Sequence, residues 1–175
     1  TDTLVIGKAT VAITLSNLNQ TYDGTPKSAT AVTAPAGLTV DLTYDGSATP
    51  PTNAGTYAVA ATVNDPNYNG STNGTLVIAK ATAVVNLGSL VQTYDGTPKS
   101  ATATTMPPGL TVDLTYDGSA VSPSAAGNYL VVGTVNDPNY DGSASATLVI
   151  SPAAATITLG SLNQTYDGTQ LSVTV

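Results

Sequence analysis

The sequence predicts an all-β protein made of small antiparallel β-sandwiches joined in tandem. Its composition, an internal repeat and a period-two pattern of apolar residues support this prediction. Apolar residues make up 41% of the 175 residues and charged residues only 9%, against about 25% in typical soluble domains. Glu and Arg are absent, while Thr, Val, Ala and Gly are abundant. Strong helix formers are therefore scarce and strand formers plentiful.

The chain repeats itself at a constant interval. Thr-Leu-Val-Ile begins at Thr3, Thr75 and Thr147, and Asn-Asp-Pro-Asn-Tyr begins at Asn64 and Asn136. Every offset is 72 residues, without insertion. Such self-similarity indicates tandem modules that contact mainly their neighbours.

The repeat predicts the domain organisation. Residues 8–79 and 80–151 form two complete repeats, residues 1–7 correspond to the last strand of a preceding repeat, and residues 152–175 to the first part of a following one. We therefore expect the chain to be a section of a longer array.

Alternating apolar and polar residues predict the strands of each repeat. Leu38, Val40, Leu42 and Tyr44 alternate with polar residues, as in a half-buried antiparallel strand. The strands expected in the first repeat cover residues 11–15, 28–33, 38–44, 57–63 and 75–78. Gly-, Asn- and Pro-containing turns separate them, so a small antiparallel sandwich is predicted. A β-grasp arrangement is the alternative, although no segment shows helical periodicity.

All nine aromatic residues are tyrosines, and we predict that they serve the core and the corners of the sandwich. Tyr57 and Tyr129 open a strand after Ala-Gly-x, where a buried ring can donate its hydroxyl to the backbone across a corner. Tyr44 and Tyr116 end inward-facing rows, and Tyr22 lies between a strand and a turn. The alternative is a stacking surface for a sugar or another ligand.

The junction between the complete repeats, residues 75–87, contains no Pro and no Gly. Its composition is therefore not that of a flexible linker, and we expect the last strand of one repeat to lead almost directly into the next. The following junction has Ser151-Pro152, where proline fixes φ and removes a donor. That joint is expected to be slightly kinked.

The composition excludes several kinds of chemistry. Without His or Cys there is no usual zinc site, thiol nucleophile, Ser-His-Asp triad or imidazole base. Four Lys against eleven Asp give a net charge of −7, which repels nucleic acid and anionic membranes. We predict no enzyme activity, no catalytic, cofactor-binding or metal site, no nucleic-acid partner and no membrane contact in this section.

Three kinds of site are alternatives to this predicted absence: a calcium site, a covalent cross-link and glycosylation. Residues 137–142 resemble the opening of a calcium loop, although Leu148 stands where a bidentate Glu is needed; Asp and Asn before Gly are also ordinary turn residues. Lys8, Lys27 and Gln20 recur at fixed places, as the residues of a covalent cross-link would, although Lys8 at a strand start and Lys27 in a turn are natural positions for solvated lysines. Glycosylation sequons occur at Asn19, Asn69, Asn73 and Asn163, with Asn69 and Asn73 expected in a late loop.

Four motifs recur in the same order in both repeats: Gln-Thr-Tyr-Asp-Gly-Thr, Ala-Gly-x-Tyr, Asn-Asp-Pro-Asn-Tyr-x-Gly and Thr-Leu-Val-Ile. Together they resemble the MBG/YDG-type tandem repeats of bacterial surface or secreted adhesin-like proteins. The resemblance covers essentially the whole chain and implies an extracellular, immunoglobulin-like β-sandwich with no catalytic residues. Pro152 departs from the pattern, because Lys8 and Lys80 occupy its place in the complete repeats.

The expected function is structural: a section of a long extracellular fibre, sheath or adhesin stalk that acts as a stiff spacer or filament building block. The expected partners are neighbouring repeats and other copies of the same protein. The alternative is an adhesive module that recognises a glycan or host protein through loops at the ends of the sandwich.

Overall fold

The computed structural model describes residues 2–160, 163–170 and 172. Each complete repeat contains eight strands. Those of the first repeat are β1 (Ala9–Thr10), β2 (Ala12–Ser16), β3 (Asn19–Thr21), β4 (Thr30–Ala34), β5 (Val40–Tyr44), β6 (Gly55–Val63), β7 (Tyr68–Asn69) and β8 (Ser71–Ala79). Those of the second are β9 (Ala81–Thr82), β10 (Val84–Gly88), β11 (Val91–Thr93), β12 (Thr102–Met106), β13 (Val112–Tyr116), β14 (Gly127–Val135), β15 (Tyr140–Asp141) and β16 (Ser143–Ser151).

The two repeats have the same topology. In the first, β3-β8-β6-β5 form a four-stranded sheet, β2-β4 form a second sheet, and β1 pairs with β7. The second repeat has the corresponding sheets β11-β16-β14-β13, β10-β12 and β9-β15. The identical strand order confirms that the period in the sequence is a period of the fold.

The core lies between the two sheets of each repeat. In the first repeat Val59, Leu76 and Ile78 are at most 2% exposed, and Leu15 of the smaller sheet packs against this cluster. Burial of each such side chain contributes about 1.5–3 kcal/mol. The predicted all-β, immunoglobulin-like sandwich is therefore confirmed.

No helix occurs among residues 2–160, 163–170 and 172, so the structure does not support the β-grasp alternative. This part of the chain accordingly has no helix that could cross a membrane.

The sequence predicted purely antiparallel pairing, but the structure also contains parallel pairs. Strand β3 pairs in parallel with β8, with Gln20 opposite Ile78, and β1 pairs in parallel with β7. The opening segment of each repeat therefore contributes to both sheets. In the first repeat β2 runs antiparallel to β4 in the smaller sheet, and β3 then joins the four-stranded sheet. Strand β3 was not predicted because its three residues, Asn-Gln-Thr, are all polar.

Tyr44 and Tyr57 occupy the predicted structural positions, whereas Tyr94 and Tyr166 are exposed, so the prediction was wrong for those two. Tyr44 is 4% exposed, and its Oη accepts a hydrogen bond from the backbone N–H of Ala29 at 2.9 Å. The hydroxyl of Tyr57 donates to the carbonyl of Asn53 at 2.9 Å, which confirms the predicted corner. Gly55 makes room for this ring, because a Cβ there would lie 3.2 Å from the Tyr57 hydroxyl.

Some predicted boundaries were wrong. The closing strand β8 begins at Ser71, well before the predicted Thr75, so Asn73 lies within a strand opposite Ala60. Asn69 likewise belongs to β7 rather than to a loop. Both asparagines are nevertheless exposed.

Residues 2–7 and 152–159 lie outside strands and are exposed, and Thr1 lies outside the described residues. In the complete repeats the counterpart of residues 2–7 is β8, which pairs with β3 and β6. The assignment of the two ends to neighbouring repeats stays a prediction.

Candidate inter-repeat interface

The two complete repeats are joined by a single residue between strands, as the composition of the junction predicted. Strand β8 ends at Ala79 and β9 begins at Ala81. The ammonium of Lys80, between them, donates to the carbonyl of Asp137 at 2.7 Å, and the N–H of Ala81 donates to the carbonyl of Asn139 at 2.9 Å. The connection is thus held directly against residues 137–142, a segment that includes strand β15 and is here called the late loop of the second repeat.

Internal contacts fix the shape of this late loop. The carboxylate of Asp137 accepts hydrogen bonds from the backbone N–H groups of Asn139 and Tyr140 at 2.8 and 3.0 Å, an arrangement typical of an Asx turn. At Gly142 a Cβ would lie 2.1 Å from the carbonyl oxygen of Ala83. Only glycine permits this close approach of the loop to the start of the repeat.

The tip of the late loop contacts the first repeat. The side-chain oxygen of Asn139 accepts a hydrogen bond from the backbone N–H of Ala54 at 2.9 Å. Its amide nitrogen donates to the side-chain oxygen of Asn53 at 3.2 Å. Both ends of one amide are therefore bonded across the boundary, which fixes the orientation of Asn139.

An aromatic contact lies beside this amide. The rings of Tyr22 and Tyr140 meet edge to face, with centroids 5.3 Å apart and an interplanar angle of 82°. This is a favoured geometry for aromatic pairs. Segments at three of the recurring sequence motifs therefore converge at the boundary: Tyr-Asp-Gly and the start of Ala-Gly-x-Tyr from the first repeat, and Asn-Asp-Pro-Asn-Tyr from the second.

The first repeat carries the same chemical groups at its outer end. In the first repeat Asn67 and Tyr68 correspond to Asn139 and Tyr140, and Lys8 donates to the carbonyl of Asp65 at 2.8 Å, as Lys80 does to Asp137. Asn67 is exposed, whereas Asn139 is half-buried. Together with residues 6–9, Asn67 and Tyr68 line a surface pocket.

At the far end of the second repeat Tyr94 corresponds to Tyr22. Its ring is 43% exposed, whereas Tyr22 is partly buried beside Tyr140. Ala125 replaces Asn53, so the amide-to-amide hydrogen bond has no counterpart there, although the N–H donor corresponding to Ala54 is present at Ala126. Each repeat thus carries the late loop at one end and its receiving surface at the other.

The family model of the MBG domain matches residues 11–82, 83–154 and 155–175 of the chain. The chain belongs to the MBG domain family. The predicted resemblance to MBG-type tandem repeats is thereby confirmed. No curated protein sequence matches the chain. Among solved structures the chain is similar to the crystal structure of Dscam1 isoform 6.9, N-terminal four Ig domains, with 16% identity and a TM-score of 0.37. The match covers 86% of this chain and 48% of that one, so the chain spans about half the length of that structure.

MBG repeats are a non-enzymatic kind of domain and are typical of surface proteins. In this chain the residues that sequence reasoning assigned to turns and core positions also build the inter-repeat contact, which that reasoning missed. The available signal was that Asn67-Tyr68 and Asn139-Tyr140 recur unchanged, although a turn after Asp-Pro requires neither residue type.

An ion pair holds the Tyr-Asp-Gly turn of each complete MBG repeat. Lys27 lies 2.5 Å from the carboxylate of Asp23, and its side chain is only 12% exposed, so the prediction that Lys27 is solvated was wrong. The hydrogen bond from Lys27 lowers the pKa of Asp23 well below its usual range, and the hydroxyl and N–H of Thr25 add to the effect. Asp95 and Lys99 repeat the arrangement.

The side chains considered for a covalent cross-link have other partners. Lys8 donates to a backbone carbonyl and Lys27 to a carboxylate. The amide of Gln20 donates to the carbonyls of Asn17 and Ser28 at 2.9 and 3.0 Å, which ties β3 to the segment before β4.

The oxygens considered for calcium are directed to different partners. Asp137 caps the turn, and Asn139 faces the first repeat. In the described part of the chain no three acidic side chains come together as a possible metal site. The late loop is therefore built as a contact element.

Proposed function

We propose that this MBG array is a structural section of an extracellular or cell-surface protein of the bacterial type, and that it acts as a stiff spacer in a fibre, sheath or adhesin stalk. The observation that carries the proposal is the docking of the late loop, through Asn139 and Tyr140, on Tyr22 and Ala54 of the preceding repeat.

The contact suits an extended array because its two surfaces lie at opposite ends of each repeat. Such a heterologous contact can be repeated without closing into a ring. The late loop at the outer end of the first repeat and the exposed Tyr94 of the second provide the surfaces for further neighbours. Length would then follow from the number of repeats.

Stiffness would come from the combination of covalent and non-covalent attachment. The single connecting residue leaves little freedom, and the bonds of Asn139 restrict rotation about it. The covalent tether gives the contact a high effective concentration, so modest interactions suffice.

The adhesive alternative receives less support. It would use tyrosine-rich loops at the ends of the sandwich, yet at the described boundary Tyr22 and Tyr140 contact each other. The corresponding loops differ little between the two repeats, which suits a repeated structural contact better than a specific ligand site. We assign the section no catalytic role.

Nitrogen-15 relaxation of the whole chain tests the proposal. Two coupled repeats should tumble with a common diffusion tensor, and Asn139→Ala should uncouple them. Asn67→Ala removes the equivalent side chain from the first repeat, where it is exposed, and should leave the coupling unchanged. Independent tumbling of the repeats in the unmodified chain would refute the stiff spacer.

We further propose that other copies of the protein associate laterally through sheet edges. Strands β4 and β5 are each paired on one side only, as are β12 and β13, and unpaired strand edges favour association. Val32 on β4 and Met106 on β12 are 57% and 67% exposed. Electron microscopy should show lateral bundles that Val32→Lys combined with Met106→Lys abolishes; bundles unaffected by both changes would exclude this surface.

A further inference from the structure

The first and last parts of each MBG repeat are hydrogen-bonded neighbours that run in the same direction. In the first repeat β3 pairs in parallel with β8 over three residues. The backbone N–H of Val77 donates to Leu18 at 2.8 Å, and that of Tyr22 donates to Ala79 at 2.9 Å. These bonds extend the pairing at both of its ends.

Tension along the chain loads this pairing in shear. A force on the two ends of the repeat drags β3 back toward its beginning and β8 forward toward its end. Because the strands are parallel neighbours, they must slide along each other, and the hydrogen bonds between them resist together rather than one after another. The parallel pair β1 and β7 is loaded in the same sense, since β7 leads into β8.

Both strands of the pair are anchored in the repeat. On β8, Leu76 and Ile78 are 0% and 2% exposed, and this strand pairs with β6 over eight residues. Strand β3 is attached through Gln20, whose amide donates to Asn17 and Ser28. Neither strand can therefore slide without disturbing the core or the segment before β4.

We propose that each MBG repeat is a load-bearing module whose mechanical clamp is the parallel pairing of β3 with β8, and of β11 with β16. The proposal rests on the proposed function only for the source of the force, since a spacer in a fibre or stalk is loaded end to end. The clamp itself lies within one repeat and does not depend on the contact between repeats.

Constant-force unfolding of the whole chain, held at its two ends, tests the clamp. Tyr94→Pro removes the N–H that donates to Ser151 at 2.8 Å, and thus alters only the second repeat. One such hydrogen bond contributes about 1 kcal/mol to the folded state. Its loss corresponds to roughly fivefold faster unfolding of the second repeat. Each molecule should then show one fast and one unchanged unfolding event. The unchanged first repeat is the internal reference.

Two variants separate the clamp from general stability. Tyr94→Ala keeps the backbone N–H and should leave both unfolding events unchanged. Thr115→Gly weakens the edge strand β13, away from the loaded strands, and should lower stability in urea without faster unfolding under force. Forced unfolding is governed by the unfolding rate, so the two readouts can differ.

A milder variant avoids disruption of the backbone. Gln92→Ala removes the side-chain bonds to Ser89 and Ser100 and should also accelerate forced unfolding of the second repeat. The clamp is refuted if Tyr94→Pro and Gln92→Ala leave the rate of forced unfolding unchanged. It is also refuted if Thr115→Gly, at the same loss of stability in urea, accelerates forced unfolding as much as these two variants do. The stiff-spacer proposal is tested separately, by nitrogen-15 relaxation. A negative result for the spacer can therefore be distinguished from a negative result for the clamp.

Discussion

Tyr22 and Tyr140 meet edge to face across the boundary between the two MBG repeats, with ring centroids 5.3 Å apart. Neighbouring contacts come from Asn139, which binds the backbone of the first repeat, and from Lys80, which binds the loop that carries Tyr140. The ring pair therefore reports directly on whether the two repeats are docked.

A double-mutant cycle on Tyr22→Ala and Tyr140→Ala, measured by urea unfolding of the whole chain, should give a coupling energy of about 0.5–1.5 kcal/mol, the usual range for aromatic pairs. The matched control is the pair Tyr68 and Tyr94. Tyr68 is the equivalent of Tyr140 in the first repeat, and Tyr94 is the equivalent of Tyr22 in the second repeat. This pair should show no coupling. Equal coupling in both cycles would mean that the effect does not arise at the boundary.

Gly142→Ala should destabilise the second repeat by about 1–3 kcal/mol, the usual cost of overpacking. The added Cβ would lie 2.1 Å from the carbonyl oxygen of Ala83, so the late loop must move away from the start of the repeat. Thermal or urea unfolding measures the loss. Gly7→Ala is the control, because nothing lies within 4 Å of a Cβ there; the same result for both variants would contradict the close approach.

Tyr116→Phe should cost the second repeat about 1–3 kcal/mol, the penalty for a buried donor without its acceptor. The hydroxyl oxygen of Tyr116 accepts the backbone N–H of Ala101 at 2.9 Å, and the bond is buried. Urea unfolding provides the measurement. Tyr166→Phe, at a ring that is 82% exposed, should be neutral; a neutral Tyr116→Phe would show that Ala101 finds another acceptor.

The turn carboxylates should show an acid-dependent contribution to stability. The hydrogen bond from Lys99 holds the pKa of Asp95 well below its usual range, with Thr97 adding to the effect. Because the folded pKa is the lower one, the contribution is complete above the unfolded pKa of about 3.9 and is lost as the pH falls below it.

Carboxyl NMR titration should show this directly. Lys99→Gln is expected to raise the pKa of Asp95 toward that of Asp167, which is lowered chiefly by the hydroxyl of Thr169. Asp23, in the unaltered first repeat, should keep its low pKa and serves as the reference. If Asp95 titrates unchanged in Lys99→Gln, the lysine is not the main cause.

The sequence alone determined the features that depend on short stretches of chain. Alternation along residues 38–44 predicted strand β5, and the segment Ala-Gly-x-Tyr predicted the corner hydrogen bond of Tyr57. The recurrence of motifs predicted the repeat and the MBG family. These signals are readable because side-chain direction alternates along a strand and because a turn requires particular residues at particular places.

The tertiary structure decided which distant segments meet. The parallel pairing of Gln20 with Ile78 and the contact of Asn139 with Ala54 were not predicted from local patterns. Asn139 and Ala54 are 85 residues apart in the chain, and their meeting depends on the path of every strand between them. A side chain in a turn can therefore be identified from the sequence, but the neighbour it binds is fixed only when the sheets have formed and the second repeat is placed against the first.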